Sequence, residues 1–335
     1  DTVENNGITY NITSIGAGAF SNCTSITKIT VPNLVTTIKS SAFSGCSNLT
    51  DVVLNNSISI IDARAFKDCT NLTRINIPDS VTQIYDYAFQ NCSKLTSLNL
   101  SENIQILREG IFLNSGLTSF TFPESVSSIP NDFFNSCSDL SSVAIPNSVK
   151  NIGDDAFRSC TSLTTINLPS DLEKIRESTF EASGLTSITI PNKVTEIELQ
   201  AFRDCRDLTT ITFSSTLETI GINAFQRCTK LDNVVLPNSL KVIKNRAFQE
   251  CYALTEMSIP NSVTTISDYA FYKCFKLETV TLSNTLTALN AFVFDNCLKL
   301  EEINIPSSVT TIADFSLSNN GLKKVIVNCQ TPLAI

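Results

Sequence analysis

The chain has 335 residues, 42% of them hydrophobic and 17% charged, with a formal net charge of −8 and neither histidine nor tryptophan. This composition supports a buried core and excludes a disordered chain. The acidic balance, without clustered Lys or Arg, argues against nucleic acid or an anionic membrane surface as partner. Missing histidine removes the commonest general base and metal ligand, and no apolar run is long enough for membrane insertion by this segment.

In chain order, residues 1–14 precede any regular pattern, and their Ile8, Tyr10 and Ile12 predict a partial N-terminal cap. Over residues 15–328 one phrase recurs, L-T-x-I-x-I-P-x-x-V-T-x-I-x-x-x-A-F-x-x-C-x-x. Its phenylalanine returns from Phe20, Phe43 and Phe66 through to Phe294, with Leu317 in the last copy. The spacing is 23 residues, shortened to 22 after Phe112 and Phe180. Such a period marks one continuous array of about fourteen coils rather than two globular domains.

Within a coil, L-x-x-I-x-I predicts a short parallel strand, because it alternates and is rich in β-branched residues. Proline ends it at Pro32, Pro78, Pro123, Pro146, Pro169, Pro191, Pro237, Pro260 and Pro306. V-T-x-I predicts a second, shorter extended piece, and A-F-x-x-C a compact turn or single helical turn. The fold class expected is therefore an α/β repeat, a right-handed solenoid with short parallel strands. The last strand, 322–327, is expected to lie open to pairing with another chain, with 329–335 as an array exit that a longer native chain would continue.

Eleven cysteines, Cys23 to Cys297, each follow the repeat phenylalanine by three residues. Equivalent positions in stacked coils point in parallel, so a reduced, buried ladder is expected rather than disulfides. Metal binding is weaker still, since no C-x-x-C pair exists. The shortened copies read Ser115-Gly116-Leu117 and Ser183-Gly184-Leu185, and the last Asn320-Gly321-Leu322; a glycine tolerating positive φ is expected there. Cys329 alone is out of register and is the one thiol expected to be reactive. No nucleophile has a plausible base and no glycine-rich phosphate loop appears, so a non-enzymatic protein without cofactor is expected.

Candidate glycosylation sequons lie at Asn11, Asn48, Asn55, Asn71 and Asn99. Asn22 and Asn91 also begin sequons but adjoin ladder cysteines. A chain this rich in Asn, Ser and Thr carries about as many by chance. The outward strand columns, such as Ser119/Thr121, Ser187/Thr189 and Thr210/Thr212, form a hydroxyl-rich face that strand propensity alone would produce and that also suits protein or glycan recognition. Two variable columns change late in the array. After the cysteine stand Tyr252, Phe275 and Leu298; two residues before the phenylalanine stand Tyr269, Phe292 and Phe315, with Tyr272 nearby. Stacking predicts an apolar interaction patch here. The competing reading is that these rings fold down over the coil edges and merely cover the core.

The phrase, with proline where ordinary leucine-rich repeats carry asparagine, resembles the BspA-like (Treponema-type) leucine-rich repeats of bacterial surface proteins and of proteins of mucosal protists. The resemblance covers about residues 12–328, and the tail Val327-Asn328-Cys329 looks like the family's exit from its array. It implies an extracellular or cell-surface location and adhesion to a host or matrix protein or glycan. The alternative is structural: self-association end to end into a surface layer or filament.

Overall fold

A computed structural model describes residues 2–5 and 8–328. The array exit at 329–335, and Cys329 with it, lie outside the described residues. The chain forms two compact units, Asp1–Leu163 and Thr164–Ile335. The first opens with an antiparallel hairpin, Thr2–Asn5 with Ile8–Asn11, ahead of the first coil.

Each unit is built from parallel strand files in which every strand pairs with its counterpart one coil away. In the first unit Lys28–Thr30, Asp51–Val53 and Arg74–Ile75 form one file, and Ser14–Ile15, Thr37–Ile38, Ile60–Ile61, Gln83–Ile84 and Ile106–Leu107 form another. In the second unit Ser187–Thr189 pairs with Thr210–Thr212 and Glu256–Ser258 with Thr279–Thr281, while V-T-x-I strands from Lys174–Ile175 to Thr265–Ile266 make a five-stranded sheet. The L-x-x-I-x-I strands alternate exposed and buried, as at Thr210–Thr212, where only the central isoleucine is inside.

Among the described residues there is no helix, which corrects the α/β expectation. The reason lies around the repeat phenylalanine, where the residues two before and two after it both adopt positive φ. Ser41 (φ 57°) and Gly45 (φ 75°) flank Phe43, and Asn223 (φ 55°) and Arg227 (φ 62°) flank Phe225. A left-handed residue every fourth position stops a helix before its second turn. The backbone donors are satisfied in two directions instead. Ser41, Phe43 and Gly45 N–H donate to the Ala63, Ala65 and Lys67 carbonyls of the next coil, while Ala42, Ser44 and Cys46 N–H close turns onto Lys39, Ser41 and Phe43.

Proline also does more than end the strand, because its carbonyl accepts the N–H of the following Val, as Pro32 does from Val35 and Pro260 from Val263. Four coils have Asn55, Ser101, Ser214 or Ser283 in that slot, and there the side-chain oxygen accepts the N–H two residues on. A polar side chain thus enforces the turn that proline's ring would preset.

The phenylalanines stack in file, with centroids 5.2–5.9 Å apart from Phe20 to Phe157 in the first unit. From Phe180 to Phe294 in the second they are 5.2–5.4 Å apart. The wider spacing has a local cause. Phe133 stands where most coils carry alanine, and its ring meets Phe112 and Phe134 edge-on at 5.4 and 4.8 Å.

Candidate interaction surfaces

The described cysteines are free and, Cys23 apart, buried. From Cys46 onward each thiol donates to the carbonyl of the preceding coil's phenylalanine: Cys160 to Phe134 at 3.2 Å and Cys228 to Phe202 at 3.1 Å. Burial raises their pKa, to about 11 at Cys137 and about 12 at Cys205, where Ser115 and Ser183 hydroxyls on the neighbouring coil partly offset it. These thiols are bonded parts of the scaffold and poor nucleophiles. The Ser-Gly-Leu copies need a correction. Gly116 and Gly321 are not among the positive-φ residues. They are required by close approach, since a Cβ on Gly116 would stand 2.1 Å from the Ser93 carbonyl oxygen and one on Gly321 2.6 Å from that of Leu298.

Hydroxyls on the strands divide by column. The residue directly after the strand leucine is spent inside the scaffold: Thr186 Oγ1 donates to the Thr164 carbonyl at 3.2 Å and Thr209 to Thr186 at 3.0 Å. In the outward columns, Thr165, Asn167, Ser187, Thr189 and Thr212 make no side-chain hydrogen bond to another protein group. Together with Thr210 they line a groove of about 720 Å³, whose lining also includes the Lys193–Asp171 ion pair at 2.6 Å. Toward the other end of that unit a groove of about 460 Å³ has an amide-rich lining that includes Asn261, Asn284, Asn304 and Asn328. In the first unit the same face carries a groove of about 350 Å³ with Asp51, Arg74, Asn76 and Asn99.

Of the sequon asparagines, Asn11, Asn48 and Asn99 are exposed and Asn71 is half-buried. Asn71 Nδ2 donates to the Ser47 carbonyl at 2.7 Å. Asn55 is buried, its amide nitrogen donating to the Pro32 and Val35 carbonyls while its oxygen holds the turn described above. Attachment of a glycan to that nitrogen would cost its bonds to the neighbouring coil.

The late aromatic residues form two stacks, and no ring contact joins them. Tyr252 lies on Phe275 (5.0 Å, 7°), with Leu298, 53% exposed, next in that column. Tyr269 lies on Phe292 (4.6 Å, 4°), which lies on Phe315 (5.0 Å, 15°). Tyr272 meets Tyr269 edge-on at 5.5 Å. Cations attend this second stack: Arg246 sits over Tyr269 at 5.0 Å and Lys273 over Tyr272 at 5.1 Å. The patch expected as one is thus two adjacent files, half-buried except for Leu298 and Phe315.

What the sequence did not disclose is the backbone state of that second file. Tyr269, Phe292 and Phe315 have φ of 60°, 56° and 57°. Each bulky residue in this region costs about 1–2 kcal/mol, and each stacked pair returns about 0.5–1.5 kcal/mol. The file therefore adds little to stability on balance, unlike the buried phenylalanine stack.

The chain matches the sequence pattern of the BspA type leucine rich repeat region over residues 13–141, 127–255 and 218–332. Similar solved structures include a leucine-rich repeat protein from Bacteroides ovatus, with a TM-score of 0.79 and 24% identity, covering 92% of this chain and 86% of that one. A leucine-rich repeat protein from Eubacterium ventriosum follows the same path with a TM-score of 0.61 and 23% identity, covering 89% and 91%. The pneumococcal vaccine antigen PcpA does so with a TM-score of 0.58 and 21% identity, covering 98% and 87%. At these identities the likeness establishes the fold. No match emerges among curated proteins. The repeat pattern, the turn that proline closes and the stacked phenylalanine and cysteine columns agree with one another, and the chain belongs to the BspA-type leucine-rich repeat family.

Proposed function

We propose that this chain is a non-enzymatic recognition scaffold, located outside the cell or at its surface, that binds a partner protein or glycan through its outward strand face. One observation carries the reading: two hydroxyl columns run side by side on the strands, one consumed by the scaffold and one left unspent. Thr186 and Thr209 belong to the first, Ser187, Thr189 and Thr212 to the second. Unspent hydroxyl and amide groups on a rigid, grooved sheet suit hydrogen-bonded recognition of a polar surface. The location rests on the family resemblance.

Binding to arrayed matrix proteins and glycans tests it. Ser187→Lys with Thr210→Lys should abolish the principal binding signal and leave the melting temperature unchanged. Retained binding would reject the face as the site. A second reading, self-association, draws support from Val325 and Val327, 46% and 43% exposed on the strand Lys324–Val327. Light scattering that shows one species at every concentration would reject it.

A further inference from the structure

The aromatic files of the second unit lie apart from that hydroxyl groove and have a chemistry of their own. Within the Tyr269 file the inner ring faces are taken, while the terminal Phe315 is 61% exposed. Phe292 carries Tyr269 on one side and Phe315 on the other, and Tyr269 carries Phe292 from the next coil and Arg246 from the previous one. What such rings leave to solvent is their edges, where the aromatic quadrupole is positive.

The cations beside the files are also unusual for this unit. Elsewhere in it lysines are matched by carboxylates one coil away, as in Lys193–Asp171 (2.6 Å), Lys230–Asp207 (2.7 Å), Lys241–Glu218 (2.6 Å) and Lys323–Glu301 (2.7 Å). Among the described residues Arg246, Lys273, Lys276 and Lys299 have no carboxylate within 4.0 Å. Arg246 and Lys273 cover rings of one file, while Lys276 and Lys299 directly follow Phe275 and Leu298 of the other. Cations without an ion pair and positive ring edges therefore lie along both files, and Glu250, which accepts the Tyr252 hydroxyl, is itself paired with Arg227.

We propose that this surface docks an acidic, aromatic-bearing peptide segment of a partner protein. Its carboxylates pair with the four cations, and its apolar side chains pack on the ring edges and on Leu298. A neutral sugar is a poorer fit, because pyranose rings stack on open aromatic faces and those of Tyr269 and Phe292 are covered on both sides. A sulfated polysaccharide would meet the cations but leave the rings unused.

The test is fluorescence anisotropy with a labelled glutamate–tyrosine copolymer, compared with a lysine–tyrosine copolymer and with heparin, on the whole chain. The glutamate–tyrosine probe should bind, and the Arg246→Glu/Lys273→Glu variant should weaken it about tenfold or more. Phe292→Gly should weaken it as well with a shift of only a few degrees in melting temperature, because relieved backbone strain offsets lost stacking. Ser187→Lys with Thr210→Lys should leave this binding intact, which separates the proposal from the strand-face reading. Equal binding of the lysine–tyrosine probe, indifference to both ring-file variants, or heparin binding in place of the peptide would each overturn it.

Discussion

Tyr87 in the first unit and Tyr269 in the second occupy the same column with the same backbone, φ 58° and 60°. Each has an arginine from the preceding coil over its ring, Arg64 at 5.8 Å and Arg246 at 5.0 Å. What the next coil supplies is different. Beyond Tyr87 stands Gly110, where an added Cβ would lie 2.3 Å from the ring, and Glu109, which accepts the tyrosine hydroxyl. Beyond Tyr269 stand Phe292 and Phe315. In the first unit one ring folds over its neighbour and is closed off, so the reading that such rings merely cover the coil edge describes Tyr87 well. In the second unit the column is continued ring on ring and flanked by unmatched cations.

The largest expected effect lies where the units do not differ. Burial raises the ladder thiols from 9.0, to about 11 at Cys137 and about 12 at Cys205. The folded state then keeps protons that the unfolded chain has lost. This contribution is complete below about pH 9 and disappears as pH rises through 9–12. Denaturant midpoints in both units should fall steeply over that window, and a thiol reagent at neutral pH should label the buried cysteines from Cys46 to Cys297 slowly until the chain unfolds. Rapid labelling of the native ladder would break this account of it.

The next effects separate the units. Phe202→Ala removes a fully buried ring of the core stack and should cost about 3–5 kcal/mol in equilibrium unfolding. Gly110→Ala should cost about 1–3 kcal/mol by driving a methyl into the Tyr87 ring, plus about 1–2 kcal/mol for its left-handed backbone (φ 59°), and only the first part should vanish in a Tyr87→Ala background. Phe292→Gly should change stability by only about 1 kcal/mol in either direction, as lost stacking and relieved backbone strain offset each other. Smallest of all, Lys230→Ala breaks an exposed ion pair with Asp207 and should cost no more than about 0.5 kcal/mol.

Much of this was legible from residue order. A fixed period places phenylalanine, cysteine and leucine in columns, and alternation along the strands identifies the outward hydroxyls. Backbone state was harder to read. The column two after the phenylalanine carries a signal in Asn22, Gly45, Asp68, Asn91 and Asn114, residue types that tolerate positive φ, and attention to it would have replaced the helical turn with paired left-handed positions. The column two before carries a weaker one, in Gly18, Gly110, Asp132, Asp155 and Asn223, because Arg64, Tyr87 and Gln200 are held there by the inter-coil ladder against their own preference. Asn55 was ambiguous for a similar reason, since a sequon and a proline-replacing turn use the same letters. Which rings would stack on one another, and which cations would lack partners, depends on side-chain contacts between coils that a one-dimensional pattern does not contain.

The claim that the ring file is an addition to the scaffold and no part of its support can be tested by melting the Tyr269→Gly/Phe292→Gly/Phe315→Gly variant beside the unaltered protein. The account predicts midpoints within about 4 °C of each other. A fall as large as that caused by Phe202→Ala would contradict it and return these rings to the core.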